Sequence, residues 1–143
     1  MLFLMVRTLC LDVGERRIGV AVSDPSGTIA QGVKVYNRGS FKQDLEEIRA
    51  LTRTFEASRI VIGLPKNLDG SLGNKANDML ALAEKIQSAT GIPVEPWDER
   101  FSTNEAHRIF DMASVKQKKR KGVIDMIAAQ IILQGYLDAQ KNA

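Results

Sequence analysis

The stretch LDVGERRIGVAVSD, residues 11–24, decides the fold. Thr8 to Val13 is apolar except at Asp12, and so continuous a run marks a strand that is central and covered on both faces. GER, residues 14–16, reads as a tight turn into residues 17–23. There Ile18, Val20 and Val22 alternate with Gly19, Ala21 and Ser23, a period-2 strand with one bulky and one small face. The small face leaves room for a closely packed helix or backbone. Asp12 is the anomaly, because a carboxylate in a buried strand is costly unless something pairs with it. It is either half-exposed at a strand end or held there for a partner such as a metal ion.

Working outward, the first strand spans residues 6–13. DPSG (24–27) is a strong turn, and TIAQGVKVY (28–36) supplies a third strand, completing an antiparallel meander. After NRGS a helix is expected over 41–57, capped by Ser40, with Leu45, Ile48, Leu51, Thr52 and Phe55 in one stripe. RIVIGLP (59–65) is a short buried strand, and the loop KNLDGSLGN leads to a helix over 74–89. Met79, Leu82, Ala83 and Ile86 line the apolar stripe of that helix, and Gly91 closes it. IPVEPW (92–97) carries two prolines and so reads as an edge strand. DERFST follows, with Ser102 or Thr103 capping a short helix to about Asp111, and residues 122–140 form the last helix. The order βββαβαβα, plus the short helix, gives an α/β fold: one mixed five-stranded sheet flanked by helices.

The chain has 143 residues, 44% hydrophobic and 26% charged, which suits a single globular domain over 1–143. One cysteine excludes an intrachain disulfide and fits a reducing cytoplasm; Cys10, in the apolar strand, reads as a small buried hydrophobe. MLFLMV at the start lacks a basic n-region and a cleavage site and is far too short to span a bilayer, and no later stretch reaches membrane length. A cytoplasmic protein without membrane partners is expected. Net charge is only +3, but its distribution is uneven. Lys116, Lys118, Lys119, Arg120 and Lys121 form one basic cluster and Arg16 with Arg17 a second, a pattern that suits a polyanion such as nucleic acid as well as a solvated basic face.

Four acids carry the chemistry. Asp12 ends the central strand, Asp98 and Glu99 end the last strand, and Asp125 has Ala128, Ala129 and Ile132 as helical neighbours, placing it beside the apolar face. If the first and last strands run parallel, their C-terminal ends share the rim where open α/β sheets bind ligands. Each acid alone also fits a turn or a helix N-terminus. Together they would repel one another unless cations neutralise them, and hard cations with oxygen ligands, Mg²⁺ or Mn²⁺, suit the set. Two such ions, roughly 3.5–4 Å apart, support phosphodiester hydrolysis. Other chemistries lack their residues. There is no GxxxxGK[ST] loop, no zinc spacing of Cys and His, and no plausible histidine partner for Ser23 or Ser102; the lone His107 reads as a surface residue.

LDVGERRIGVAVSD, IVIGLPKNLDGS, DERFST and KGVIDMIAAQIILQGYL resemble, in order and spacing, the four motifs of the YqgF/RuvX family, from about Thr8 to Leu137. That family belongs to the ribonuclease H-like superfamily and is described both as Holliday junction resolvases and as pre-16S rRNA processing nucleases. The resemblance implies the sheet order 3-2-1-4-5 and an Mg²⁺- or Mn²⁺-dependent nuclease. Asp12 matches the strand-1 aspartate and Asp125 the last-helix aspartate. The acid of the DER motif is Asp98 or Glu99, with Glu99 favoured as metal ligand alongside Asp12 and Asp125. Arg16, Arg17, Lys119, Arg120 and Lys121 become phosphate contacts, and the loop Gly63 to Gly70 borders the groove. The expected reaction is hydrolysis of structured nucleic acid, foremost at the 5′ end of pre-16S rRNA. The alternatives are a Holliday junction resolvase acting on branched DNA and a binding module without catalysis. A resolvase should be a stable symmetric dimer; nothing in the sequence announces a dimer interface, so a monomer or weak homodimer is expected, with ribosomal particles as further partners. An actin-like phosphotransferase, which also opens on Asp-x-Gly, needs two such domains, and the chain has length for one.

Overall fold

The computed structural model describes residues 7–67, 69–99 and 123–141. Its centre is the first strand, β1 (Arg7–Val13), which pairs antiparallel with β2 (Arg17–Ser23) and parallel with β4 (Ala57–Leu64). β3 (Ala30–Asn37) runs antiparallel beside β2, and β5 (Val94–Asp98) runs parallel beside β4, so the order is β3-β2-β1-β4-β5. This is the expected 3-2-1-4-5 sheet, with the proline-bearing strand at an edge. The helices are α1 (Phe41–Thr54), α2 (Asn74–Thr90) and α3 (Val123–Lys141). Among the described residues no helix is long and apolar enough to cross a membrane.

Alternation along the strands divides the core between the two faces of the sheet. Leu9, Leu11, Ile18, Val20, Val22, Ile60 and Ile62 pack with Ile48 and Leu51 of α1 and Ala83 and Ile86 of α2. Cys10, Ala21 and Val61 pack with Ala129, Ile132, Leu133 and Tyr136 of α3. Each fully buried Leu or Ile contributes about 1.5–3 kcal/mol relative to exposure, so both faces are well anchored. Positions of odd and even number on β1 therefore look into different layers, and Asp12 shares its layer with Cys10.

Several boundaries differ from the sequence expectation by one to three residues. α1 stops at Thr54 rather than 57, because Phe55 caps it and Glu56 takes a left-handed φ of 52° that turns the chain into β4 at Ala57. β3 starts at Ala30 rather than 28, because the Asp24 turn reaches further than DPSG: its carboxylate accepts from the amides of Thr28 (2.7 Å) and Ile29 (2.9 Å). β4 begins two residues before RIVIGLP. At the other end of the loop after β3, Ser40 caps α1 in a reciprocal box with Gln43 (3.2 and 2.9 Å), typically worth about 1 kcal/mol. The expected helix to Asp111, with Ser102, Thr103 and His107, and the cluster Lys116 to Lys121 lie outside the described residues.

Candidate active site

Two glycines let the elements that carry the acids approach the sheet closely. Asp12 stands opposite Gly19 in the β1–β2 register. A Cβ on Gly19 would overlap the Asp125 carbonyl and lie 3.0 Å from the Met126 amide nitrogen, so the first turn of α3 rests directly on β2. Gly63 plays the same part on β4, where a Cβ would stand 2.8 Å from Oε1 of Glu99 and 2.9 Å from Cδ1 of Ile132. Asp12, Glu99 and Asp125 thus come from a strand end, the residue after β5 and a helix start, all on the α3 side of the sheet. Asp98 goes the other way. It pairs in register with Leu64, on the side of α1 and α2, is only 5% exposed, and lies 3.7 Å from Lys66 Nζ.

The electrostatics follow from this placement. Burial, then the charges of Glu99 and Asp125, push the Asp12 carboxyl up from its ordinary value to about 7. Burial and the neighbouring Asp98 raise Glu99. Burial, Asp12 and Glu99 together raise the Cys10 thiol, which stays protonated and is no nucleophile. Asp125 is answered differently: Arg17 Nε donates to its Oδ2 at 2.9 Å. Among the described residues no three acid, histidine or cysteine side chains stand close enough together to hold a metal ion. The donor chemistry nonetheless fits a hard divalent cation. Three carboxylates share one side of one rim, and among the described residues the charges that act on Asp12 are both negative.

The 14–17 turn forms a basic lip beside the acids. Gly14 N donates to Arg17 O (2.8 Å), and an open pocket of about 280 Å³ is lined by Gly14, Glu15, Arg16, Arg17 and Asp125. Arg16 and Arg17 are where the sequence placed them. Arg38 is an addition. Its amide donates to Arg16 O (2.8 Å), its Nη1 donates to Gly14 O (2.9 Å), and its Nε lies 3.7 Å from the buried Asp44. The signal that would have found it is the meander itself. Arg17 pairs with Asn37, so the next residue must lie beside the turn. In the Gly63–Gly70 loop, Asp69 serves turn chemistry, accepting from Ser71 N at 2.9 Å, while Lys66 reaches Asp98. Lys119, Arg120 and Lys121 fall outside the described residues.

A family model described as "RuvX: Holliday junction resolvase" matches residues 6–139. A Thermoanaerobacter pseudethanolicus protein named "Putative pre-16S rRNA nuclease" is 46% identical over 138 residues, covering 96% of this chain and 99% of its own. Proteins of the same name from Halothermothrix orenii and Clostridioides difficile are each 50% identical over 137 residues. These alignments cover 96% of this chain and 98% and 97% of those proteins. Among solved structures, Thermus thermophilus RuvC in complex with a Holliday junction substrate superposes with a TM-score of 0.63 at 13% identity, covering 96% of this chain and 97% of that one. A fowlpox virus resolvase bound to Holliday junction DNA gives 0.59 at 8% identity, covering 94% and 99%. At such identities the likeness is one of fold.

Proposed function

Because the chain belongs to the RuvX family, we propose that it is a metal-dependent nuclease, one domain over 1–143, that hydrolyses phosphodiester bonds in structured nucleic acid. The observation that carries this reading is the convergence of Asp12, Glu99 and Asp125 on one side of the rim, with Asp12 raised to about 7 by burial and its two neighbours. These three acids would hold Mg²⁺ or Mn²⁺. When bound, a pair of such ions supplies an activated water and stabilises the leaving oxygen. The chain's own residues do the rest. Arg16 and Arg17, with Lys119, Arg120 and Lys121, neutralise the phosphates that flank the scissile bond. Arg38 holds the turn that carries Arg17. Asp98, with Lys66 beside it, acts on Glu99 through its charge and so is a positioning residue.

The substrate we favour is the 5′ end of pre-16S rRNA, in keeping with the names of relatives 46–50% identical over nearly their whole length. On this reading the protein works among ribosomal particles in the cytoplasm. A junction resolvase, the description attached to the family model, must cut two strands and so calls for a symmetric pair of sites.

The test offers precursor rRNA, a four-way DNA junction and a plain duplex to the purified protein in Mg²⁺ and Mn²⁺. Asp12→Asn and Asp125→Asn are run alongside. Cleavage of the rRNA that both variants lose supports the proposal. Cleavage of the junction alone, by a dimer, favours the resolvase reading. Variants that cut as wild type does overturn the metal centre.

A further inference from the structure

Arg17 and Asp125 are paired with each other, yet the proposed reaction needs each for a different partner. Their side chains are 46% and 31% exposed, so water screens the 2.9 Å contact and its exchange is cheap. Neither backbone depends on that contact. The Arg17 turn is held by the Gly14–Arg17 hydrogen bond and by Arg38, and the start of α3 is fixed against Gly19. The two side chains can therefore part without disturbing the elements that carry them. While they are paired, a guanidinium occupies one oxygen of Asp125 and repels any second cation brought to that carboxylate.

We propose that the Arg17–Asp125 pair is a latch that couples nucleic-acid binding to metal binding. A phosphate of the incoming strand competes for the Arg17 guanidinium, and its capture frees the Asp125 carboxylate for the cation. The inference rests on the metal-centre reading above and adds to it that substrate and metal bind cooperatively. Arg17 then contributes to specificity as well as to affinity, because only a ligand with a phosphate at the lip completes the acidic set. Linkage makes the coupling reciprocal: what releases Asp125 for the metal must equally release Arg17 for the phosphate.

Two binding measurements, neither requiring turnover, test this. In the first, Mn²⁺ alone is titrated into the wild-type chain, Arg17→Gln, Arg16→Gln and Asp12→Asn. Arg16→Gln removes the same charge from the same turn. Arg17→Gln should bind Mn²⁺ about three- to tenfold more tightly than wild type, and Arg16→Gln less than about twofold more tightly. In the second, a short single-stranded RNA is bound in EDTA by wild type, Asp125→Asn and Asp12→Asn. At about pH 8.5, above the raised Asp12 value, Asp125→Asn should bind it several-fold more tightly than Asp12→Asn, which then also loses a rim charge without touching Arg17. This arm stands even if Arg17→Gln fails to fold. Equal Mn²⁺ affinities for Arg17→Gln and Arg16→Gln, or equal RNA affinities for the two acid variants, overturn the latch alone. Mn²⁺ affinity that does not fall in Asp12→Asn overturns the metal-centre reading beneath it.

Discussion

Gly19 of β2 and Asp125 of α3 are in backbone contact, and only the missing side chain at position 19 permits it. Gly19→Ala must push the start of α3 off the sheet, carrying the Asp125 carboxylate with it. Overpacking against backbone predicts a loss of about 3 kcal/mol, together with loss of most cleavage activity. Gly32→Ala is the contrast, because the new Cβ would meet the flexible ends of Met126 and Gln130 at 2.8–2.9 Å. It should cost under about 1 kcal/mol. Thermal unfolding and cleavage rates for the pair check both, and equal effects would refute the contact as the cause.

Asp12 predicts an unusual pH profile for the metal-free protein. Its folded value of about 7 lies above the ordinary 3.8, so folding disfavours its charged form. Wild-type stability should therefore fall as pH rises from about 4 to about 7, and the deficit is complete above that window. Asp12→Asn removes it. At pH 8 in EDTA the variant should be about 2–4 kcal/mol more stable than wild type, the lower end reflecting partial exposure, and the two should match near pH 4. Mn²⁺ should then raise the wild-type midpoint and leave the variant's almost unchanged. Parallel pH curves for the two proteins would defeat the assignment.

Glu99 and Asp98 are adjacent in sequence but separated by the sheet. Glu99→Gln should cut cleavage roughly a hundredfold or more and weaken Mn²⁺ binding in step. Asp98→Asn should keep Mn²⁺ affinity within about tenfold, since Asp98 faces the other side of the sheet and its charge raises Glu99. Because that charge raises Glu99, removing it should also move the acid limb of the pH–rate profile to lower pH. Interchanged effects of the two variants would assign the ligand to Asp98.

Asp24 governs an acid limb of stability far from the acids of the rim. Hydrogen bonds from the Ile29 amide, the Ser26 hydroxyl and the Thr28 amide hold its carboxyl down at about 2. The stabilisation is present above about 3.8 and is lost as pH falls through about 2. Asp24→Ala should lower the unfolding midpoint at pH 7, and the two proteins should converge by pH 2. A gap that persists at pH 2 would point to the loss of turn geometry rather than of charge.

The sheet was legible because its signals are local. Continuous apolar residues put β1 at the centre, the Ile18, Val20, Val22 face was bulky, and the Gly19, Ala21 face was small enough to admit a helix. The end of α1 was not legible. Its stripe runs on to Phe55, and the stop is made by Glu56 in a left-handed conformation rather than by the glycine or proline that announces such turns. Which side of the sheet Glu99 and Asp98 occupy depends on register with β4, and Arg38 matters only because β3 returns beside the first turn. Both are non-local facts that no short window of sequence contains. Four ordered motifs named the acids; alternation along β5 then separated the neighbours.

The acids of the rim come from β1, from the residue after β5 and from the first turn of α3, elements that open and close the described chain. The centre is therefore assembled last. A chain still emerging from the ribosome carries Asp12 in a paired strand long before Asp125 exists, and until α3 lays its first turn on Gly19 the rim lacks one of the three acids of the proposed centre. On the proposed reading, hydrolytic competence and completion of the fold become one event, and the unfinished chain cannot cut.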